Sequence, residues 1–289
     1  MYDVAIAMLP ATIWGVMQFG IRSLIVVVAT VLSCVLSEYI FETLMHKPVT
    51  ISDGSALVTG MILGLNMPPA IPLWMPILGG IFAIIVVKQL YGGLGQNWMN
   101  PALAARCFML ISFAQAMTQF SEPGTDAIAS ATPLAEIKAG GTYDLAAMFI
   151  GKIPGTIGEV SVIALLAGAA YLLVKKVISI RIPAAYILTV VVFAALFGGH
   201  GLDVNYILAH LCGGGLIFGA FFMATDYVTS PITPKGQIAF GILLGVLTGL
   251  FRIFGGSAEG VSYAIIISNI LVPLIEKITL PKAFGKEGR

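Results

Sequence analysis

Charge is what this sequence has least of. Of 289 residues, 10% are Asp, Glu, Lys or Arg, against about 25% in a soluble domain. A water-facing surface cannot be built from so few charges, which excludes an ordinary soluble enzyme. The 15 basic and 14 acidic residues leave a formal net charge of +1, so there is no polybasic face for nucleic acid. Cysteine is scarce too: Cys34, Cys107 and Cys212 all fall in apolar runs without metal-type spacing and read as small buried hydrophobes. His200 and His210 are too far apart for the i, i+4 pair of a helical metal site, and no metal is expected. Alternating apolar and polar residues, the mark of a membrane barrel, are missing as well.

What is present is apolar sequence in long, continuous runs. Hydrophobic residues make up 58% of the chain and the mean hydropathy is +0.98. In lipid only helices or closed barrels satisfy every backbone group, so the fold class is all-α integral membrane, surrounded by lipid. About ten segments can be drawn. They cover residues 1–20 (with Pro10 as a bending point), 24–44, 53–67, 74–90, 101–117, 158–174, 183–197, 207–224, 238–252 and 261–275. The start, Met1 to Pro10, lacks the basic region of a secretory signal and reads as part of a retained first span. The third segment is short and closes on Pro68-Pro69, the kind of interrupted element that lines a site in transporter-like folds.

Cations orient the chain. Lys175, Lys176 and Arg181 lie between segments six and seven, and Lys277, Lys282, Lys286 and Arg289 end the sequence. Placing both groups in the cytoplasm also puts His46-Lys47 and Lys235 inside and the central loop outside, with Arg22 the exception. Pro68 and Pro231 are 163 residues apart, as are Gly92-Gly93 and Gly255-Gly256. Two five-segment halves at that offset would face opposite ways, the inverted-repeat design. The expected divisions are a first membrane repeat at 1–117, an extracytoplasmic loop at 118–156, a second repeat at 157–276 and a cytoplasmic tail at 277–289.

Within the loop, Asp126-Ala-Ile-Ala-Ser-Ala-Thr132 precedes Pro133. The proline holds Thr132 extended, and the small neighbours Ala129, Ser130 and Ala131 would leave its hydroxyl accessible. Thr132 also suits the N-cap of a short helix with Pro133 at its first position. Gly92-Gly93-Leu94-Gly95 has no strand before it, so it serves tight turning rather than phosphate binding.

The stretch Asp126 to Thr132 resembles the flavinylation motif, whose threonine receives FMN through a phosphoester from a flavin transferase. Four further stretches resemble the D subunit of the Rnf complex, a relative of the B subunit of the sodium-pumping NADH:quinone reductase. They are Asp53-Gly-Ser-Ala-Leu-Val-Thr-Gly60, Lys88 to Asn97 with Asn100-Pro101, Phe221-Phe-Met-Ala-Thr-Asp226, and Glu259 to Ala264 with Asn269. The likeness covers nearly the whole chain. Ala129 stands where the motif often has Ser or Thr, Ser130 where Gly is usual, and no polar arm precedes the first span.

The resemblance implies a fold related to that of urea transporters and a place in the bacterial inner membrane. It implies a subunit, not catalytic alone, of a ferredoxin:NAD+ oxidoreductase that couples electron transfer to Na+ or H+ movement. Thr132 would carry covalent FMN, with room for a second, non-covalent flavin such as riboflavin. The partners would be the other Rnf subunits and the flavin transferase. Intramembrane acids are functional candidates by default, which singles out Asp226 and Asp53 for the ion pathway. For Asp226 a structural role stands equally open, and Asp53 also suits a helix cap. Glu38 and Glu42 are expected at the membrane interface, and Lys88 and Arg252 are expected to snorkel. Arg106 lies deeper, beside a carbonyl, an acid or a flavin. The rival readings are a small-solute channel or transporter without redox activity, and a scaffold protein that holds no flavin.

Overall fold

The computed structural model describes residues 1–121, 128–129, 132–141, 143–256 and 260–280. Asp126, Ser130 and Ala131 of the motif, Thr142, Glu259 and the tail from 281 onward lie outside the described residues. The first half contains α1 (Tyr2–Phe19), α2 (Ile21–Leu44), α3 (Ser55–Leu65), α4 (Trp74–Ile81), α5 (Pro101–Ser112) and α6 (Ala114–Met117). Helix α4 runs into a π-helical stretch, Phe82–Lys88, and a 3-10 turn, Gln89–Tyr91. A two-stranded hairpin of β1 (Phe120–Ser121) and β2 (Ile128–Ala129) follows, with Phe120 opposite Ala129. Next come α7 (Pro133–Lys138) and α8 (Leu145–Ile150), small helices inside what sequence reads as loop. The second half contains α9 (Val162–Val174), α10 (Arg181–Phe197), α11 (Val204–Cys212), α12 (Leu216–Phe218), a second π-helical stretch at Gly219–Met223, α13 (Pro234–Ile253) and α14 (Val261–Thr279).

The solvent this fold is built for is legible on α2. Its outer stripe, Ile25, Val28, Leu32, Leu36 and Ile40, is exposed at the spacing of one helix face. Its inner stripe, by contrast, carries Thr30, Ser33, Ser37, Glu38 and Glu42, all buried. An apolar outside over a polar inside is stable only where the surroundings are hydrocarbon. Four stretches are long and apolar enough to cross a membrane: Ile21–Leu44, Trp74–Tyr91, Pro234–Ile253 and Val261–Thr279. A fifth forms if Val204–Cys212 and Leu216–Met223, bent by 62°, act as one broken span. The chain is a multi-pass, mostly helical membrane protein.

Helix α3, at 11 residues, extends about 16 Å at 1.5 Å per residue, roughly half a bilayer core. Helix α1 continues through Pro10. Helices α10 and α13 approach closely through Gly241, Gly245 and Gly249; a Cβ at Gly245 would sit 2.4 Å from Thr189 Cβ. Helix α1 packs on α9, and α5 on α14.

Candidate functional site

Thr132 is the N-cap of α7: its backbone is extended (φ −79°, ψ 156°), Pro133 follows at the first helical position, and its Oγ1 accepts from Ala135 N–H at 3.4 Å. The capping geometry is therefore real. The accessible hydroxyl expected from its small neighbours is not found, because Thr132 is only 7% exposed. The reason is tertiary. Leu134 packs on the Gly213-Gly214 link between α11 and α12, where a Cβ on Gly214 would lie 2.7 Å from Leu134 Cδ2. Lys138 Nζ donates to Gly255 O, fixing the far end of α7. A small cleft beside Thr132 is walled by Pro154, Glu159, Cys212, Gly213 and Gly214.

Two buried arginines lie beside this cleft: Arg252 holds the break between α11 and α12, and Arg106 holds the end of α3. Arg252 donates to Gly213 O at 2.9 Å, to Gly214 O at 3.0 Å and to His210 O, satisfying carbonyls that the end of α11 leaves open. It is 3% exposed and points inward, so it does not snorkel. Arg106 binds Glu159 Oε1 at 2.6 Å and Asn66 Oδ1. Asn66 follows the last turn of α3, and the loop carrying Glu159 docks there, with Gly158 N donating to Leu65 O at 2.8 Å and Ile157 N to Met67 O at 3.1 Å. Of the partners left open for Arg106, an acid is found in Glu159, beside the side-chain carbonyl oxygen of Asn66. Glu159 also packs against Gly215, whose φ of +66° and lack of a side chain leave room for the carboxylate.

A second, larger cavity of about 70 Å³ opens between the halves. Its polar wall includes Ser55, Lys88, Asn97, Asn100 and Asp226, and Phe221 and Phe222 form part of its apolar wall. Asp226 accepts from Thr229 Oγ1 at 3.0 Å and from Val228 N–H at 3.4 Å. Asn100 caps α5, accepting from Ala102 N at 3.0 Å and Leu103 N at 3.3 Å. With its amide oriented to suit its neighbours, Asn269 donates to Thr229 O and accepts from Asn100 N–H, both at 3.1 Å. That amide joins the two halves beside Asp226. Asp53 stands one residue back from the cavity: its Oδ1 accepts from Ser55 N at 2.7 Å and Ser55 Oγ at 2.5 Å.

Lys88, Glu38 and Glu42 depart from what their positions in the sequence suggest. All three are buried, at 2%, 0% and 2% exposure, so Lys88 does not snorkel and the two glutamates face the protein interior. Lys88 Nζ meets Glu38 Oε1 at 2.5 Å and Ser55 Oγ at 2.5 Å. Gln89 Nε2 donates to Glu38 Oε1 at 2.9 Å and to Glu42 Oε1 at 3.1 Å. Glu42 accepts from Thr50 Oγ1 at 2.5 Å and Thr50 N at 2.9 Å. The π-helical stretch explains the inward turn: one extra residue per turn brings the consecutive pair Lys88-Gln89 onto α2. Sequence reasoning missed this cluster because a π turn has no reliable composition signal. The i, i+4 spacing of Glu38 and Glu42 was visible, but not the side they face.

Comparison with known proteins places these features in a lineage. A family model described as NQR2, RnfD, RnfE family matches residues 1–285. The D subunit of the Na(+)-translocating ferredoxin:NAD(+) oxidoreductase complex of Acetobacterium woodii is 45% identical over 291 residues, covering 99% of this chain and 90% of that protein. The D subunit of the proton-translocating ferredoxin:NAD(+) oxidoreductase complex of Clostridium ljungdahlii is 43% identical over 300 residues, covering 99% and 91%. The D subunit of the ion-translocating oxidoreductase complex of Stutzerimonas stutzeri is 36% identical over 326 residues, covering 100% and 92%. With the match running almost end to end, the chain belongs to the NQR2, RnfD, RnfE family.

Proposed function

We propose that this chain is the D-type membrane subunit of an ion-translocating ferredoxin:NAD+ oxidoreductase, with FMN esterified to Thr132, in a bacterial inner membrane. The end-to-end similarity to subunits of that name carries the reading. Thr132 Oγ1 accepts one long bond and, among the described residues, donates none, so an ester there removes no contact. With the residue 7% exposed, however, α7 must lift from the Gly213-Gly214 link for a transferase to reach it. When bound, FMN supplies one- and two-electron transfer. The chain's own contribution is placement: α7 pins the attachment point over the break between α11 and α12, and Glu159 links it through Arg106 to the end of α3. A second, non-covalent flavin such as riboflavin would need a site of at least about 300 Å³, so the central cavity beside Phe221 and Phe222, at about 70 Å³, would have to widen to hold it.

The ten-span inverted repeat belongs to the same reading. At the 163-residue offset α1 corresponds to α9, α4 to α13 and α5 to α14, and the counterparts α1 and α9, and α5 and α14, pack on each other, as elements beside a pseudo-two-fold axis would. Asp226, on the cavity wall, and Asp53, behind it, line the ion route. Relatives at 45% and 43% identity are named for different ions, so overall similarity does not choose between Na+ and H+. The partners are the other subunits of the complex and the flavin transferase that modifies Thr132.

One preparation tests both parts. Co-expressed with a flavin transferase, the chain fluoresces on a denaturing gel, and its Thr132 peptide is heavier by one esterified FMN. Thr132→Val loses both signals. Asp226→Asn keeps the flavin but uncouples ion transport from electron transfer. An unmodified Thr132 peptide from an electron-conducting complex would overturn the flavin assignment and leave a channel or a scaffold. Undiminished coupling in the Asp226 variant would remove that residue from the route.

A further inference from the structure

Two interrupted elements, α3 and α12 with its π-helical continuation, run between the same two places in opposite directions. Each begins at a left-handed glycine: Gly54 (φ +74°, ψ 7°) caps α3 and Gly215 (φ +66°, ψ 16°) caps α12. Ser55 at the start of α3 lines the central cavity, as do Thr225 and Asp226 just past the far end of the other element. The two remaining ends meet at one side chain. Glu159 accepts from Arg106, which also holds Asn66 at the end of α3, and a Cβ on Gly215 would lie 2.4 Å from Glu159 Oε1.

The 163-residue offset allows the two ends to be compared directly. Asn66 corresponds to Thr229 and Arg106 to Asn269, and both pairs are in contact: Arg106 with the Asn66 side chain, Asn269 with the Thr229 carbonyl at 3.1 Å. At the cavity end the link is a neutral amide beside about 70 Å³ of open space. At the Thr132 end the same contact is joined by a carboxylate and by the loop that carries it. Ile157 N donates to Met67 O and Gly158 N to Leu65 O, and the cleft left over measures about 20 Å³, room for about one water. Thr156 in that loop is 2% exposed, and its Oγ1 has no hydrogen-bond partner among the described residues. The loop is therefore seated by its backbone and by Glu159, not by this hydroxyl.

We propose that the Arg106–Glu159 pair is a gate: at the Thr132 end it closes a pathway whose other end is the central cavity, and it separates during turnover. The inference rests on the proposed ion-translocating function and adds the place where the route is shut. A buried ion pair suits that task, because its attraction is largely offset by the desolvation of both groups. Water admitted between them rehydrates both, so the pair parts at less cost than a plug of packed apolar side chains, whose surface water does not welcome. Glu159 touches both half-length elements, so its release frees the end of α3 and the start of α12 together. That is the two-state element alternating access needs. No covalent or redox step is involved.

The test uses the whole complex in oriented proteoliposomes, with this chain's native cysteines replaced and a thiol reagent that cannot cross the membrane. Label is read on this chain after the subunits are separated. Thr59→Cys, on the cavity wall, reacts at rest from one side, and Thr156→Cys from neither. With reduced ferredoxin and NAD+ supplied, Thr156→Cys reacts from the side opposite to Thr59→Cys, faster by about tenfold or more. Glu159→Gln gives Thr156→Cys that reactivity at rest. It also lets Na+ or H+, read by tracer sodium and by a pH dye, run down a gradient without electron transfer; a pair that only stabilises the fold produces neither change. If Glu159→Gln does not assemble, labelling of Thr156→Cys during turnover decides alone. Thr156→Cys that stays unreactive while the vesicles couple electron transfer to ion uptake overturns the gate and leaves the proposed function standing, as does reaction of both cysteines from one side. A wild-type complex that transfers electrons and moves neither ion overturns that function and the gate with it.

Discussion

Arg106 shows what a single buried charge does in this molecule. Its guanidinium is 5% exposed and meets Glu159 at 2.6 Å. Removing one partner of such a pair leaves the other uncompensated, a loss of about 3–5 kcal/mol. Arg106→Gln should therefore lower the thermal midpoint of the purified protein by many degrees. The double variant with Glu159→Gln should recover part of the loss, because no lone carboxylate remains. Equal destabilisation in single and double variants would show that the arginine does not act through Glu159. The residue types at such sites were legible in the sequence: Arg106, Asp226 and Thr132 stand out as polar groups in an apolar chain, and all three border a cavity or cleft, or pair beside one. Their partners were not legible. Glu159 is 53 residues from Arg106, and nothing local in the run Gly-Glu-Val marks it as the acid that enters the protein.

At the scale of elements, the segments were largely readable from apolar runs and prolines, and their interruptions less so. Segment eight reads as one span from 207 to 224 but is two helices bent by 62° at Gly213-Gly214-Gly215, held there by Arg252. Glycine triplets permit a bend without requiring one; the guanidinium that donates to the freed carbonyls comes from a helix 38 residues away. Straight crossings, in contrast, depend on glycine for proximity. On α13 Gly245 faces Thr189 and the Tyr186 carbonyl of α10, which a Cβ would approach to 2.4 and 3.0 Å. Backbone cannot move aside as a side-chain tip can, so Gly245→Val forces the helices apart, with an overpacking loss of about 1–3 kcal/mol or more. A lower thermal midpoint and yield are expected, while Ile242→Leu on the exposed face of the same helix leaves both unchanged. Equal tolerance of the two substitutions would mean that α10 and α13 do not pack as described.

For the whole molecule, the distribution of cations and the proposed inverted halves make a joint claim about sidedness. On the proposed ten-span reading, with Lys175 and Lys176 cytoplasmic, α7 and with it Thr132 lies on the outer face. On that reading the proposed flavin site and the central cavity lie toward opposite faces, with the break between α11 and α12, held by Arg252, between them. Coupling between them becomes a matter of helix movement rather than direct contact. Ala139 and Lys175 are both exposed, which allows a test in a background without the native cysteines. A thiol reagent that cannot cross membranes should label Ala139→Cys on intact right-side-out vesicles, and Lys175→Cys only after the vesicles are opened, because on the proposed reading α9 alone crosses between the two positions. Labelling of both from the same side would mean an even number of crossings between them, which is incompatible with the inverted repeat and with a flavin on the outer face.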